Sequence, residues 1–287
     1  WTQMVLFSEL APYGPLDQFA QPFPNDAIAQ FQEDARRFGL WIVPGSMFEK
    51  TEDGRIFNTS VVINPQGEIV AKYSKMFPFK PYEQGIASGT EFCVFDVPDV
   101  GRFGLSICYD IWFPETTRQL TSQGVEVLLH PVLTGTTDRD AEIAIARATA
   151  AQFQCYVIDV NGLGAGGVGK SLVGGPTATV LHQSAGQEDM FPIEIDLDMV
   201  RRQRETGLKG LGQVLKSFRD READFSVYDR SSGTDAYLKT LGPLAIPQQG
   251  SQAGVNTADP RSALGREPQD YKPEDNLPIF KRVSGTG

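Results

Sequence analysis

Between Arg102 and Asn161 the chain alternates three short apolar runs with two helical segments. RFGLSICYD, VEVLLHPV and CYVIDVN each carry a block of apolar residues bounded by polar ones, the pattern of a buried strand. ETTRQLTSQG follows Pro114, a residue suited to a helix start, and AEIAIARATAAQFQ follows Asp138 and Asp140, either of which opens a helix. A β-α-β-α-β rhythm of this kind predicts parallel strands with covering helices. In an open α/β sheet, reactive groups gather where strands end.

The flanks are consistent with this. MVLFSEL predicts a strand, and Asn25 or Asp26 caps a helix with apolar Ile28, Phe31, Ala35 and Phe38, closed by Gly39. LWIVPGSMFE reads as one strand, followed by IFNTSVVIN and EIVAKYSK across the turns TEDGR and NPQG, an antiparallel meander. FPFKPYEQGIASGTEF reads as a loop. VGGPTATVLH and MFPIEIDL read as further strands, and residues 196–207 as a short helix. From about Arg221 the chain turns rich in Pro, Gln, Gly and Asp. This predicts one domain over 1–220 and an extended tail over 221–287 that wraps the core or a partner subunit.

A net charge of −10 disfavours nucleic acid and anionic membrane surfaces as partners, and no apolar run reaches the length of a membrane span. Three cysteines, Cys93, Cys108 and Cys155, are too few and odd in number for a disulfide framework, which points to a reducing, cytoplasmic setting. With two histidines and neither CxxC nor HExxH spacing, no zinc site and no cofactor is expected.

GAGGVGKS, residues 164–171, fits the phosphate-loop pattern G-x-x-x-x-G-K-[ST] letter for letter. A working phosphate loop requires a helix directly behind it. Here Lys170 and Ser171 run into LVGGPTATV, where Gly174, Gly175 and Pro176 break a helix and β-branched residues favour a strand. The segment is expected to be a glycine loop between strands, with Lys170 on the surface.

Chemistry is concentrated elsewhere. In GLSICYDIWFPE a cysteine stands where an apolar strand gives way to a Pro-started helix. A lone cysteine is more often a buried structural residue, the reading that suits Cys93 and Cys155. Around Cys108, however, the run resembles the nitrilase superfamily of carbon–nitrogen hydrolases, and C-Y-D-x-x-F-P-E resembles its amidase and carbamoylase branches. VLFSELAPYG resembles the block whose Glu is the general base, here Glu9. KYSKMFPF resembles the block whose second Lys is catalytic, here Lys75. KPYEQG matches the position of a second active-site Glu, here Glu83. IARATAAQFQCYVIDVNGLG and GKSLVGGPTATVL resemble the segments that follow, with Ala178 where the family usually has Gly. The resemblance spans residues 5–204.

The resemblance implies an α/β fold, the four-layer α-β-β-α sandwich of that superfamily, without its first strand and helix. Either the sequence begins downstream of the protein's start, as Trp1 in place of Met suggests, or the protein is truncated there. It implies a small-molecule amide substrate and pairing into a homodimer or higher homo-oligomer. It also implies cysteine-dependent amide hydrolysis with ammonia release through a thioester; nitrile or N-carbamoyl hydrolysis by the same residues is the alternative.

These residue types suit that chemistry. A thiol is only a few per cent ionised near neutral pH, so Cys108 needs a base, and Glu9 is expected to take its proton and later deliver it to the departing amine. Lys75 and the backbone N–H of Tyr109 are expected to hold the oxyanion. Glu83 is expected to orient Lys75 or the substrate nitrogen. Tyr13, Tyr82, Trp112 and Thr134 adjoin these blocks as candidate pocket residues, with core packing an equal reading for Trp112. His130 is expected to be structural, Glu115 and Arg118 to cap and brace the helix after the cysteine, and Arg147 and Arg204 to form structural ion pairs.

Overall fold

The computed structural model describes residues 2–80, 82–229, 231–241 and 244. Most of the expected tail over 221–287 lies outside the described residues. The chain divides into two units, residues 1–79 with 83–221, and residues 80–82 with 222 onward.

The first unit is built on two sheets. In chain order its elements begin with β1 (Met4–Leu6), α1 (Asp26–Phe38), β2 (Trp41–Val43), β3 (Met47–Lys50), β4 (Ile56–Ile63), β5 (Ile69–Ser74) and β6 (Ile86–Ala87). These strands form one sheet, ordered β1-β2-β4-β3, with β5 and β6 also pairing with β4. The β3-β4-β5 meander is antiparallel, and β1 runs parallel to β2.

The chain continues through β7 (Cys93–Val97), β8 (Gly101–Leu105), α2 (Pro114–Ser122), β9 (Val127–Val132), α3 (Asp138–Gln152) and β10 (Tyr156–Asn161). It ends in β11 (Leu163–Gly164), β12 (Gly167–Val168), β13 (Leu172–Gly174), β14 (Val180–Gln183), α4 (Leu197–Thr206) and α5 (Val214–Arg219). The second sheet is ordered β14-β13-β10-β9-β8-β7, and its β8-β9-β10 centre is parallel, as the alternating rhythm requires.

Alternation along β9 shows how the layers stack. Val127 and Leu129 face the first sheet, among Val43, Val62 and Tyr73. Leu128 points the other way, against Leu120 of α2, Ala146 and Ala150 of α3, and Phe153. Both faces of this strand are buried, so it reads as a continuous apolar run. On the far side, α1 lays Ile28 and Ala35 on Ile42, Met47, Val61 and Ile63. Asn25 caps this helix by accepting the Ile28 N–H at 3.1 Å, and Gly39 closes it with φ 63°. The result is four layers, helix, sheet, sheet, helix.

Three expected strands differ. LWIVPGSMFE is two strands, broken at Pro44 and Gly45. Gly45 has φ +79° and lies so close to the Ser8 carbonyl that a Cβ there would sit 1.8 Å from its oxygen. VGGPTATVLH is a hairpin, β13 and β14, turning through Gly175 to Thr179. MFPIEIDL forms no strand. Arg147 and Arg204 form no ion pair among the described residues; they bond carbonyls instead, Arg147 that of Ala178 and Arg204 those of Gln154, Gly124 and Val125. Arg118 braces α2 by lying over the rings of Phe153 and Phe218.

The second unit carries a 3₁₀ turn at Ser226–Tyr228 and a short helix, α6 (Ala236–Lys239). No helix among the described residues is long and apolar enough to cross a membrane.

Candidate active site

Cys108 opens a 3₁₀ turn, Cys108–Trp112, between the end of β8 and Pro114 of α2. Its φ of +46° is a left-handed conformation that a non-glycine residue adopts only where its surroundings impose it. Asp110 supplies much of that constraint. Its buried carboxylate accepts from Ile107 N at 2.9 Å, from Phe77 N at 2.8 Å and from the Tyr73 hydroxyl at 2.7 Å. One side chain thus ties the cysteine turn to β5 and to the loop after Lys75. Burial pushes its carboxyl up to about 6, although those three donors oppose the rise.

Glu9 reaches the same place from the turn after β1, its backbone N–H donating to Val132 O at 3.2 Å. Lys75 follows β5, and its backbone is fixed by the Asn58 carbonyl at 2.8 Å. Glu83 closes a turn on Phe79, donating to its carbonyl and accepting its N–H. The Lys75 ammonium lies 2.8 Å from Glu9 Oε1 and 2.7 Å from Glu83 Oε2, and all three side chains are buried. Asn58 Nδ2 donates to both acids, at 2.8 Å each. The Glu9 carboxyl and the Cys108 thiol are near enough to shift each other's acidity.

Electrostatics follow from this crowding. Burial raises the Glu9 carboxyl above its ordinary range; Lys75 pulls it down and Glu83 pushes it up. Burial depresses the Lys75 ammonium, but its acidic neighbours, Glu9 foremost, outweigh that and raise it well above its usual value. Burial and the nearby Glu9 hold the Cys108 thiol well above the free cysteine range, with Lys75 opposing. At neutral pH the sulfur is protonated and the lysine charged, and burial makes the Glu9 carboxylate a stronger base. Tyr109 is the second residue of the turn, where a backbone N–H lacks an acceptor within the helix.

A second buried cluster stands on the other side of the sulfur. Cys108 Sγ lies 3.7 Å from Thr134 Oγ1, which donates to Glu142 Oε1 at 3.1 Å. The Trp112 indole N–H donates to the same oxygen at 3.4 Å. Arg139 holds Glu142 Oε2 at 3.3 Å, grips Asp159 with two nitrogens, and donates to the Lys170 carbonyl at 2.8 Å. Asn161 accepts Thr134 N–H at 2.8 Å and donates to Thr134 O at 3.0 Å.

Of the candidate pocket residues, Thr134 and Trp112 border the sulfur and this second cluster. Tyr13 does not reach it. Its ring packs beside α1 and its hydroxyl donates to Asn25 Oδ1 at 3.4 Å. Tyr82 falls in the second unit and is 72% exposed. His130 is buried and bonds Ser106 Oγ through Nδ1 at 2.7 Å; burial, with the Arg139 charge, drives its imidazole down to about 3, so it stays neutral. Cys93 and Cys155 are free and buried, each pushed up to about 12 by burial. Residues 164–171 form the β11–β12 hairpin and the approach to β13, with no helix behind Lys170. The Lys170 ammonium pairs with Asp140 at 3.0 Å, and Ser171 Oγ accepts the Asn161 N–H at 3.0 Å. Among the described residues no group of His, Cys, Asp and Glu is arranged to hold a metal.

Sequence reading missed Asn58, Asp110 and Glu142. Asp110 lay within the C-Y-D run but its role is visible only once Tyr73 and Phe77 are brought beside it. Asn58 and Glu142 sit in a strand run and a helix run, and nothing local distinguishes them from ordinary polar positions.

Comparison with known proteins identifies the family. Residues 2–205 match the family model described as carbon-nitrogen hydrolase. The chain is 29% identical over 206 residues to a deaminated glutathione amidase of Mus musculus, covering 65% of this chain and 64% of that protein. It therefore spans just under two thirds of that relative's length. It is 31% identical over 227 residues to a nitrilase of Pyrococcus abyssi, covering 72% of this chain and 77% of that one. Among solved structures, a carbon-nitrogen hydrolase from Helicobacter pylori G27 superposes with a TM-score of 0.68 at 25% identity, over 80% of this chain and 87% of that chain. The fold, the matched span and these similarities place the chain in the carbon-nitrogen hydrolase family, the nitrilase superfamily.

Proposed function

We propose that the protein is an amidase that hydrolyses a small carboxamide and releases ammonia, with Cys108 as nucleophile. The observation that carries this reading is the buried Lys75 ammonium held between two buried carboxylates, Glu9 and Glu83, in the same pocket as Cys108. In the proposed cycle Sγ attacks the carbonyl carbon while Glu9 takes the thiol proton. The developing oxyanion is met by Lys75, which spends two of its three N–H donors on carboxylates, and by the Tyr109 N–H. The C–N bond then breaks as Glu9 returns the proton to nitrogen, leaving ammonia and a thioester. Water attacks the thioester, Glu9 takes one water proton, and cleavage of the C–S bond frees the acid while the sulfur regains its proton. Glu83 holds the ammonium in place through the same step. No metal is required.

The test is ammonia release from a panel of small amides, their matching nitriles and N-carbamoyl amino acids, with parent protein and Cys108→Ala side by side. Release from amides that Cys108→Ala abolishes, by about 10⁴-fold or more, is the expected result. Unchanged release by Cys108→Ala overturns the reading. Turnover of nitriles alone assigns the site to the nitrilase activity.

A further inference from the structure

Cys108 Sγ and Thr134 Oγ1 lie 3.7 Å apart, and the threonine oxygen is the acceptor of that contact. Glu142 is the ion-paired partner of Arg139 through Oε2 and accepts at Oε1 from Thr134 and Trp112. The Thr134 hydroxyl must therefore donate to Glu142, and its lone pairs are what it presents to the sulfur. In the resting site the thiol is the donor to those lone pairs, and the proposed cycle sends its proton to Glu9 as the sulfur attacks. Once Glu9 has taken the thiol proton, two acceptors face each other across 3.7 Å with no donor between them. The bond to Glu142 sets the direction of the hydroxyl, and the frame around it is held. Asn161 clamps the Thr134 backbone at both its N–H and its C=O, and Arg139 is itself held by Asp159 and the Lys170 carbonyl. A buried acceptor fixed in this way lacks a donor until one is brought in.

We infer that Thr134 is a specificity-determining residue that accepts an N–H of the substrate's carboxamide beside Cys108, and that Glu142 is the positioning residue that keeps its lone pairs turned toward the sulfur. This deepens the amidase reading and rests on it. A primary amide brings two N–H donors on the atom that becomes ammonia, so one can bond Thr134 from ground state to departure. An ester of the same acid brings none, and a nitrile carries no hydrogen on its nitrogen. Thr134 therefore favours carboxamides over both, and the preference is set by hydrogen-bond direction rather than by pocket size.

The test compares hydrolysis of a primary amide and the matching methyl ester by the parent, Thr134→Ser, Thr134→Val and Glu142→Gln proteins. Val preserves the shape and removes the acceptor; Ser retains it. The expected result is a loss of about tenfold or more in amide kcat/KM for Thr134→Val with the ester rate held within a few-fold, so that the amide-to-ester ratio collapses, and a ratio near the parent's for Thr134→Ser. Glu142→Gln, which can offer an N–H to the hydroxyl and reverse it, is expected to lower the same ratio. Equal losses on amide and ester in Thr134→Val and Glu142→Gln make both residues structural and overturn the inference, as does an unchanged ratio in Thr134→Val. A parent protein inactive on every amide overturns the amidase reading itself, and this is seen before any Thr134 variant is measured.

Discussion

Two buried clusters flank one sulfur, and both consist of one cation shared by two carboxylates. On one side Lys75 joins Glu9 and Glu83; on the other Arg139 joins Glu142 and Asp159. They differ in what the cation has left to give. The Arg139 guanidinium is a planar fork whose terminal nitrogens are committed to two acids and a carbonyl. It locks β10 to α3 and to the approach to β13. The Lys75 ammonium is a compact point charge with a donor to spare, and Asn58 rather than a second cation bridges its two acids. The same charge count thus yields a brace in one case and a reactive centre in the other, and the choice of Arg or Lys decides which.

Exchanging each cation for Met tests that division. Arg139→Met leaves Asp159 with no other charged partner among the described residues and should cost about 3–5 kcal/mol of unfolding free energy, read by denaturant titration. Lys75→Met should reduce amide kcat by about 10²–10³ through loss of an oxyanion donor. Its stability should fall less than that of Arg139→Met, because Glu9 and Glu83, bridged by Asn58, can share one proton. Equal stability losses in the two variants would erase the distinction.

Each cluster also has a titrating neighbour, and the two have opposite signs. Asp110, beside the Lys75 loop, is raised from 3.8 to about 6, so the stability held by its neutral form is lost as pH rises through that window. His130, under the field of Arg139, is lowered from 6.5 to about 3, so the stability held by its neutral ring is complete above 6.5 and lost as pH falls. The stability of the parent relative to Asp110→Asn should therefore fall by about 1.4 kcal/mol per pH unit between 3.8 and 6. Relative to His130→Asn it should rise by about the same amount per unit as pH increases toward 6.5. Chemical denaturation across pH checks both slopes.

The smallest expected effect lies away from both clusters. Ala178 adopts φ +61° in the β13–β14 turn, a conformation suited to glycine. Ala178→Gly should add up to about 1 kcal/mol to stability and leave the amide rate unchanged. A lost rate would connect this turn to the site.

What the sequence made legible follows the same division between local and distant. Helix caps, the parallel β-α-β-α-β centre and the meander are short-range patterns, and the structure contains them. Glu9, Lys75, Glu83 and Cys108 were visible because each lies in a block with its own neighbours. Asn58 and Glu142 were not: Asn58 meets Glu9 and Glu83 from 49 and 25 positions away, and Glu142 meets Trp112 from 30 positions away and Thr134 from 8. The break at Gly45 depends on the Ser8 carbonyl, 37 residues earlier, and no local pattern encodes that approach. Tyr13 adjoined the Glu9 block in sequence, but the chain turns between them, with Leu10 at φ 54°, and carries the ring toward α1.

The most direct measurement is intact-protein and peptide mass spectrometry of the parent, acid-quenched during turnover of a small amide. The expected result is one acyl group added, located on the peptide that contains Cys108 and missing in Cys108→Ala. Steady ammonia release with no adduct on that peptide, or an adduct on Cys93 or Cys155 instead, would contradict a reaction centred between Lys75 and Thr134.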